Sequence, residues 1–181
     1  MNELIHFRNE IDQFMGFHPQ SPLDATQRAS FDGLAYFEPN ELLVFIIPVE
    51  RFAATEPMVE METSTGDVRP YRRYGRITFE VDREPASLTV YSDIHGQEFF
   101  LPFRDATSGS ETYGAGRYLD NHRPGLVALA DGRIKVNFNF AYNPYCAYSP
   151  SYSCPLPPRE NWLSVPIRAG EKDFNNNLAP N

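Results

Sequence analysis

What this chain lacks narrows the field first. Its longest apolar stretch, Leu42 to Pro48, falls far short of the roughly 20 residues a membrane helix needs. The first residues, MNELIHFRNEIDQF, show no basic segment followed by an apolar one, so no secretory signal is read and a cytoplasmic location is expected. Positive charge is in deficit. Against 24 Asp and Glu stand only 16 Lys and Arg, a net charge of −8, the reverse of what proteins living on nucleic-acid phosphates carry. Neither a membrane nor a nucleic-acid partner is therefore expected. The four histidines, His6, His18, His95 and His122, are scattered and form no ligand pair, and only two cysteines stand beside them. Zinc sites want four ligands and tighter cysteine spacing, so no metal is expected. Gly114 and Gly116 lack the third glycine of a dinucleotide fingerprint and no helical pattern follows them, which excludes a Rossmann reading and leaves no cofactor implied.

What is present concentrates in two blocks, Phe103 to Asp120 and Phe138 to Lys172, both dense in Gly, Pro, Asn, Tyr and Ser. Such residues fix unusual backbone and offer hydrogen-bonding groups rather than filling a core. Their aromatic content argues against disorder, so these are ordered loops and the place to seek a site. With 41% hydrophobic and 14% aromatic residues, the 181-residue chain can bury the core of one domain.

Periodicity gives the order of elements. Leu4, Phe7, Ile11, Phe14 and Met15 recur at helical spacing, with Glu3, Arg8, Asn9, Asp12 and Gln13 on the other face. Gly16 and Pro19 end that helix. Ser21, as N-cap before Pro22, starts a short second one to about Phe31. From there the period becomes that of strands: Glu41 to Val49, a hairpin of Met58 to Thr63 with a strand from Val68, the alternating Ile77, Phe79 and Val81, then Leu88 and Val90. Gln97 to Phe103, Leu126 to Ala130, Ile134 to Phe140 and Leu163 to Ile167 follow, with Asp131-Gly132 as the clearest hairpin turn. The pattern predicts a mainly β fold: an antiparallel barrel-like or closed sandwich sheet of about eight to ten short strands behind an N-terminal helical segment. It predicts a single domain over 1–172, with a helical lead at 1–32, a β-rich part at 41–172 and long ordered loops at 103–120 and 141–162. The tail 173–181, with its three consecutive asparagines, is expected to fray.

The strings FRDATSGSETYGAGRYLD, NPYCAYSPSYSCPLPPREN and VPIRAGEK, together with the earlier SPLD and FDGLAYFEP, resemble a bacterial and archaeal family, domain of unknown function 1684. The resemblance covers nearly the whole chain. Asn137 departs from it, standing where the family more often has Asp before Phe-Asn. What the resemblance implies is that both loop blocks belong to one design; it implies no activity.

Candidate site residues come from those blocks. Amides of the turn from Thr107 to Thr112 can cradle an anion, and Arg117 can grip a carboxylate or phosphate with two parallel bonds. The competing reading pairs Asp105 and Glu111 with Arg117 to pin the loop; both readings bury the guanidinium. The best functional reading is a binding module for a small polar or anionic molecule, contacted by Asp105, Thr107, Glu111, Thr112, Tyr113, Arg117, Asn139, Tyr142, Asn143 and Glu160, with tyrosines as the wall. A second is an enzyme using Asp105, Glu111 or Glu160 as acid or base, or Cys146 as nucleophile. A third is an interaction protein whose pocket is filled by its own side chains. Cys146 and Cys154 read as buried thiols, as a disulfide, or as a metal or catalytic pair. Arg69 to Arg76 interleaves arginine with aromatics, as single-strand binders do, yet in an acidic chain a solvated hairpin with internal charge pairs is favoured. Oligomeric state is left open.

Overall fold

The computed structural model describes residues 2–174, and the helical lead forms as its apolar spacing requires. Helix α1 (Asn2–Phe17) buries Leu4 and Met15 and half-buries Phe7, Ile11 and Phe14. Arg8 does not lie on the solvent face. It sits four residues after Leu4 and three before Ile11, on the buried stripe, and two of its guanidinium nitrogens are buried. Helix α2 (Ala25–Ala29) is shorter than expected and begins elsewhere. Asp24, not Ser21, is its N-cap: Gln27 N–H donates to Asp24 Oδ1 and Asp24 N–H donates to Gln27 Oε1, both at 2.8 Å. Ser21 instead donates to the Met15 carbonyl at 2.6 Å, folding the chain back under α1.

Nine strands follow among the described residues: β1 (Val44–Pro48), β2 (Glu50–Arg51), β3 (Val59–Glu62), β4 (Val68–Val81), β5 (Glu84–Ser92), β6 (Phe99–Phe103), β7 (Arg117–Asp120), β8 (Leu126–Ala128) and β9 (Arg133–Asn137). All strand pairs are antiparallel. One sheet runs β2-β4-β5-β6-β7, with β3 also on β4; the other runs β1-β9-β8. The expected hairpins form: β3 with β4, and β8 with β9 around Asp131-Gly132. Side chains from both sheets share one core, where Phe45 of β1 meets Phe79 of β4 with ring centroids 4.9 Å apart and Phe138 packs on both. The class is thus mainly β with antiparallel sheets, but no closed barrel forms among the described residues.

Several segments differ from the periodic reading, and two expected strand ends, Glu41–Leu43 and Phe138–Phe140, are 3-10 turns capped by Asn40 and Asn137. Arg117 to Asp120 pairs with β6 as strand β7, inside what reads as a loop; three of its four residues are buried, so no alternation marks it. Leu163 to Ile167 forms no strand, because Pro166 has no N–H to give a ladder. Its contacts are single ones, such as Leu163 N–H to the Arg104 carbonyl at 2.8 Å and Ala106 N–H to the Val165 carbonyl at 3.1 Å. At the chain's end, Phe174 is buried against Tyr148, so the frayed tail does not begin at Asp173; the remainder, 175–181, lies outside the described residues.

A second, smaller apolar cluster sits beside the main core. Met15, Leu23, Ala147, Tyr148 and Phe174 form it, with Ile11, Phe14 and Leu34 against it. α1 therefore rests on two supports: Leu4 and Phe7 on the sheets, Ile11 to Met15 on the loop 141–148.

Candidate functional site

Arg117 opens strand β7 and is 1% exposed. One Nη2 hydrogen goes to Asp105 Oδ2 at 2.8 Å and another to the Ile167 carbonyl at 2.7 Å; Nη1 donates to the carbonyls of Ala169 and Glu171. Asp105 in turn accepts from the Thr107 amide at 2.8 Å, the Thr107 hydroxyl and the Ile167 amide. Thr107 and Thr112 share a hydroxyl contact of 2.9 Å. Arg117 is paired with Asp105, which balances its buried charge, and its four Nη hydrogens go to protein oxygens. Burial lowers the Arg117 pKa from its ordinary value, and Asp105 opposes that shift. This cluster pins loop 105–112 to segment 167–171.

The other expected residues scatter. Glu111 does not reach Arg117; it forms an exposed fork with Arg168 at 2.8–3.0 Å. Glu160 accepts from Tyr91 and pairs with Arg73, far along the chain from Asp105. Asn139 joins Asn40 and Asn137. Tyr142 donates to Asp120. Tyr113 lies 3.7 Å from the Cys146 sulfur. Three of the four arginines of 69–76 are held internally: Arg69 by the Ser153 carbonyl, Arg72 by the Ile94 carbonyl, Arg73 by Glu160 and Glu56.

Among the candidates, Tyr142 and Cys154 line a cavity of about 320 Å³ shared with Asp120 and Arg123, and Asn143 lines a smaller one. Of about 200 Å³, it is walled by Ile11, Phe14 and Met15 of α1, by Leu34, and by Arg123, Asn143, Tyr145, Tyr148 and Glu171. Local backbone builds it. Gly170, at φ +77°, passes so close to residues 138–141 that a Cβ would lie 2.4 Å from the Ala141 carbonyl oxygen. Glu171 N–H then donates to that carbonyl, and Tyr36 bridges to Glu171 across residues 35–37. The Glu171 carboxyl is 3% exposed and accepts from Asn143 N–H at 2.8 Å and from the Tyr148 hydroxyl at 2.7 Å. Burial pushes its pKa up, while Arg123 and these two donors pull against the shift.

Polar groups around this cavity lack protein partners. Asn143 is 3% exposed, and its Nδ2 donates to the Lys172 carbonyl at 2.8 Å, which fixes the amide's orientation and leaves Oδ1 buried and unpaired. Arg123 sits over Tyr142, its Cζ 3.5 Å from the ring centroid, with Nη1 buried and unpaired. Arg8 stacks on Tyr36 at 4.3 Å with Nε and Nη2 unpaired, as is the Tyr36 hydroxyl. Among the described residues neither Arg8 nor Arg123 forms an ion pair. Burial lowers the Arg8 pKa and raises that of Tyr36, and Glu171 acts on both. A larger cleft of about 440 Å³ near Arg51 and Arg73 has its arginines engaged, with a single unpaired nitrogen, Arg73 Nε. Sequence reading missed Arg8, Tyr36, Arg123 and Glu171. For Arg8 the signal was its place on the apolar stripe of α1; for the others spacing offers none.

Cys146 and Cys154 are free thiols that touch: Cys146 N–H donates to Cys154 Sγ at 3.2 Å. The Cys154 thiol, then Tyr113 and Ser64, stabilise the Cys146 thiolate against its half-burial, bringing its pKa down to about 6, while Cys154 is pushed well up. Among the described residues no group of His, Cys, Asp and Glu is placed to hold a metal ion, and no helix is long and apolar enough to cross a membrane.

Two antiparallel sheets, a helical lead and long pinned loops define a mainly β domain, and comparison places it. Residues 29–172 match the family model "Protein of unknown function (DUF1684)", and the chain belongs to that family. It is similar over 94% of its length to a solution NMR structure of an uncharacterized protein from Haloarcula marismortui, at 37% identity and a TM-score of 0.70, covering 92% of that chain. No curated protein matches it.

Proposed function

We propose that this protein binds a small organic anion that also carries a hydrogen-bond donor, in the cavity between α1 and residues 142–148. One observation carries the reading: Asn143 and Arg123 both line the cavity, and the buried Asn143 Oδ1 and Arg123 Nη1 have no partner in the protein. A buried polar group without a hydrogen bond costs roughly 1–3 kcal/mol, more when charged, so two of opposite type in one small wall favour a ligand that answers both. An anionic group suits Arg123, with Arg8 adding positive field; a hydroxyl or ammonium suits Asn143 Oδ1 and the Glu171 carboxyl. Ile11, Phe14, Met15 and Leu34 would take the carbon skeleton. The volume fits a ligand the size of a short hydroxy acid or amino acid. The site thus lies beside the sheets rather than in a barrel mouth, and the expected anchor Arg117 is not part of it. An enzyme using Asp105, Glu111 or Glu160 as acid or base is the weaker reading, since each carboxylate is already bonded to a protein partner.

Native mass spectrometry before and after denaturation tests this, followed by thermal melts in the presence of short hydroxy acids and amino acids. Wild type is expected to release a small acidic mass, or to melt higher with one such acid, and Arg123→Ala to do neither. A ligand at a hundred times its Kd stabilises by about 2.7 kcal/mol, well within reach of a melt. Wild-type protein that carries no mass and ignores every acid at millimolar concentration would end the proposal.

A further inference from the structure

The thiol pair, which the ligand reading does not use, has a geometry of its own. Cys146 lies on the 3-10 turn Tyr145–Ala147 and is half-buried; Cys154 is 7% exposed and returns the chain beneath it. The 3.2 Å contact from Cys146 N to Cys154 Sγ, plus an N–Cα bond of about 1.46 Å, puts that sulfur within about 4.7 Å of Cys146 Cα. A rotation about the Cys146 side chain therefore brings the sulfurs to bonding distance without moving the backbone far. The β3–β4 turn holds Cys154 in this place. Ser64 Oγ accepts the Cys154 amide at 3.1 Å, Ser64 N–H donates to the Cys154 carbonyl at 2.9 Å, and Thr65 and Arg69 bind Ser153 at 2.7 Å each. On the opposite side the Tyr113 hydroxyl points at the Cys146 sulfur.

We infer that Cys146 and Cys154 form a reversible redox site for hydrogen peroxide, with Cys146 as the attacking sulfur and Cys154 as the resolving one. The Cys146 thiolate attacks one peroxide oxygen; the S–O bond forms as the O–O bond breaks, giving a sulfenic acid and hydroxide, which takes a proton to become water. The Cys154 thiol then displaces the sulfenic oxygen: the S–S bond forms, the S–O bond breaks, and a second water leaves. Two thiols are oxidised by two electrons and one peroxide is reduced to two waters. The division of roles follows from position. Cys146 is the more accessible, and the Cys154 S–H, the Tyr113 O–H and the Ser64 hydroxyl all favour its thiolate, whereas Cys154, buried beside it, keeps its proton.

Reduced wild-type protein treated with hydrogen peroxide tests the assignment. Both free thiols are expected to disappear together, with an intact mass lower by two hydrogens, and dithiothreitol should restore both. In Cys154→Ser, dimedone should label Cys146 as trapped sulfenic acid; in Cys146→Ser, Cys154 should stay a thiol under the same treatment. Because either variant can misfold, unaltered protein is also alkylated with iodoacetamide across a pH series and mapped by peptide. The Cys146 rate should rise with a midpoint below the ordinary thiol value of about 8.5, with Cys154 lagging. Persistence of both thiols at peroxide levels that oxidise free cysteine would overturn the proposal, as would dimedone on Cys154 or a Cys146 midpoint at the ordinary value.

Discussion

Arg117 and Arg123 stand six residues apart and meet opposite circumstances. Around Arg117 all four Nη hydrogens have acceptors, and Asp105 cancels the charge in a site closed to solvent. Around Arg123 there is an aromatic face, a buried nitrogen without a partner and a cavity. The first arrangement is a structural clamp. The second is the arrangement on which the proposed binding site rests. Burial alone therefore does not mark function here; the balance of donors and acceptors does.

Substitution offers the sharpest way to break this contrast. Arg117→Ala leaves Asp105 buried and unpaired and frees three carbonyls, so urea unfolding should show a loss of roughly 3–5 kcal/mol. A loss under about 1 kcal/mol would mean the clamp is idle. The same change at Arg123 breaks no ion pair but removes its contacts with the Tyr142 and Phe7 rings and a positive charge near Glu171, a loss of about 1–2 kcal/mol, yet should abolish co-purification or acid-induced stabilisation. If Arg123→Ala instead unfolds the protein, the two arginines are alike and the contrast collapses.

Glu171 sharpens the picture through pH. Its folded pKa is raised by burial, so the folded state holds the proton more tightly than the unfolded chain. Its contribution to stability is thus fullest below the ordinary Glu range and is lost as pH rises through the raised folded value. Glu171→Gln, which keeps an acceptor for Asn143 and Tyr148, should flatten that decline in melts taken over roughly three pH units from pH 4 upward. An unchanged slope would place the titration elsewhere. Smallest of all, Glu111→Ala breaks an exposed pair with Arg168 and should leave the urea midpoint within replicate scatter; a clear drop would tie Glu111 to the clamp after all.

Much of the fold was legible because one-sided burial writes itself into spacing. Ile77, Phe79 and Val81 alternate since one face of β4 meets the core, and Asp131-Gly132 makes a turn that few other pairs can. β7 was hidden because Tyr118 and Leu119 are both buried, which erases alternation in so short a strand. The site was less legible. Asn143 was among the expected contacts, but Arg8, Tyr36, Arg123 and Glu171 come from four separate segments, and only the fold carries them to one place. Arg117 could be foreseen as buried, whereas its partner could not: Asp105 and Glu111 are equally acidic, and backbone geometry gave one to Arg117 and the other to Arg168.

The two supports of α1 have a kinetic consequence. Leu4 and Phe7 anchor its first half to the main core, while the half that walls the cavity rests on the small cluster around Met15 and Tyr148. Hydrogen exchange should divide along the helix, slower near Leu4 and faster from Ile11 onward, since local opening follows the amount of packing beneath each part. A guest behind Ile11, Phe14 and Met15 would then have a residence time set by how often that half of the helix lifts, and tightening the small cluster would slow its entry and its exit together.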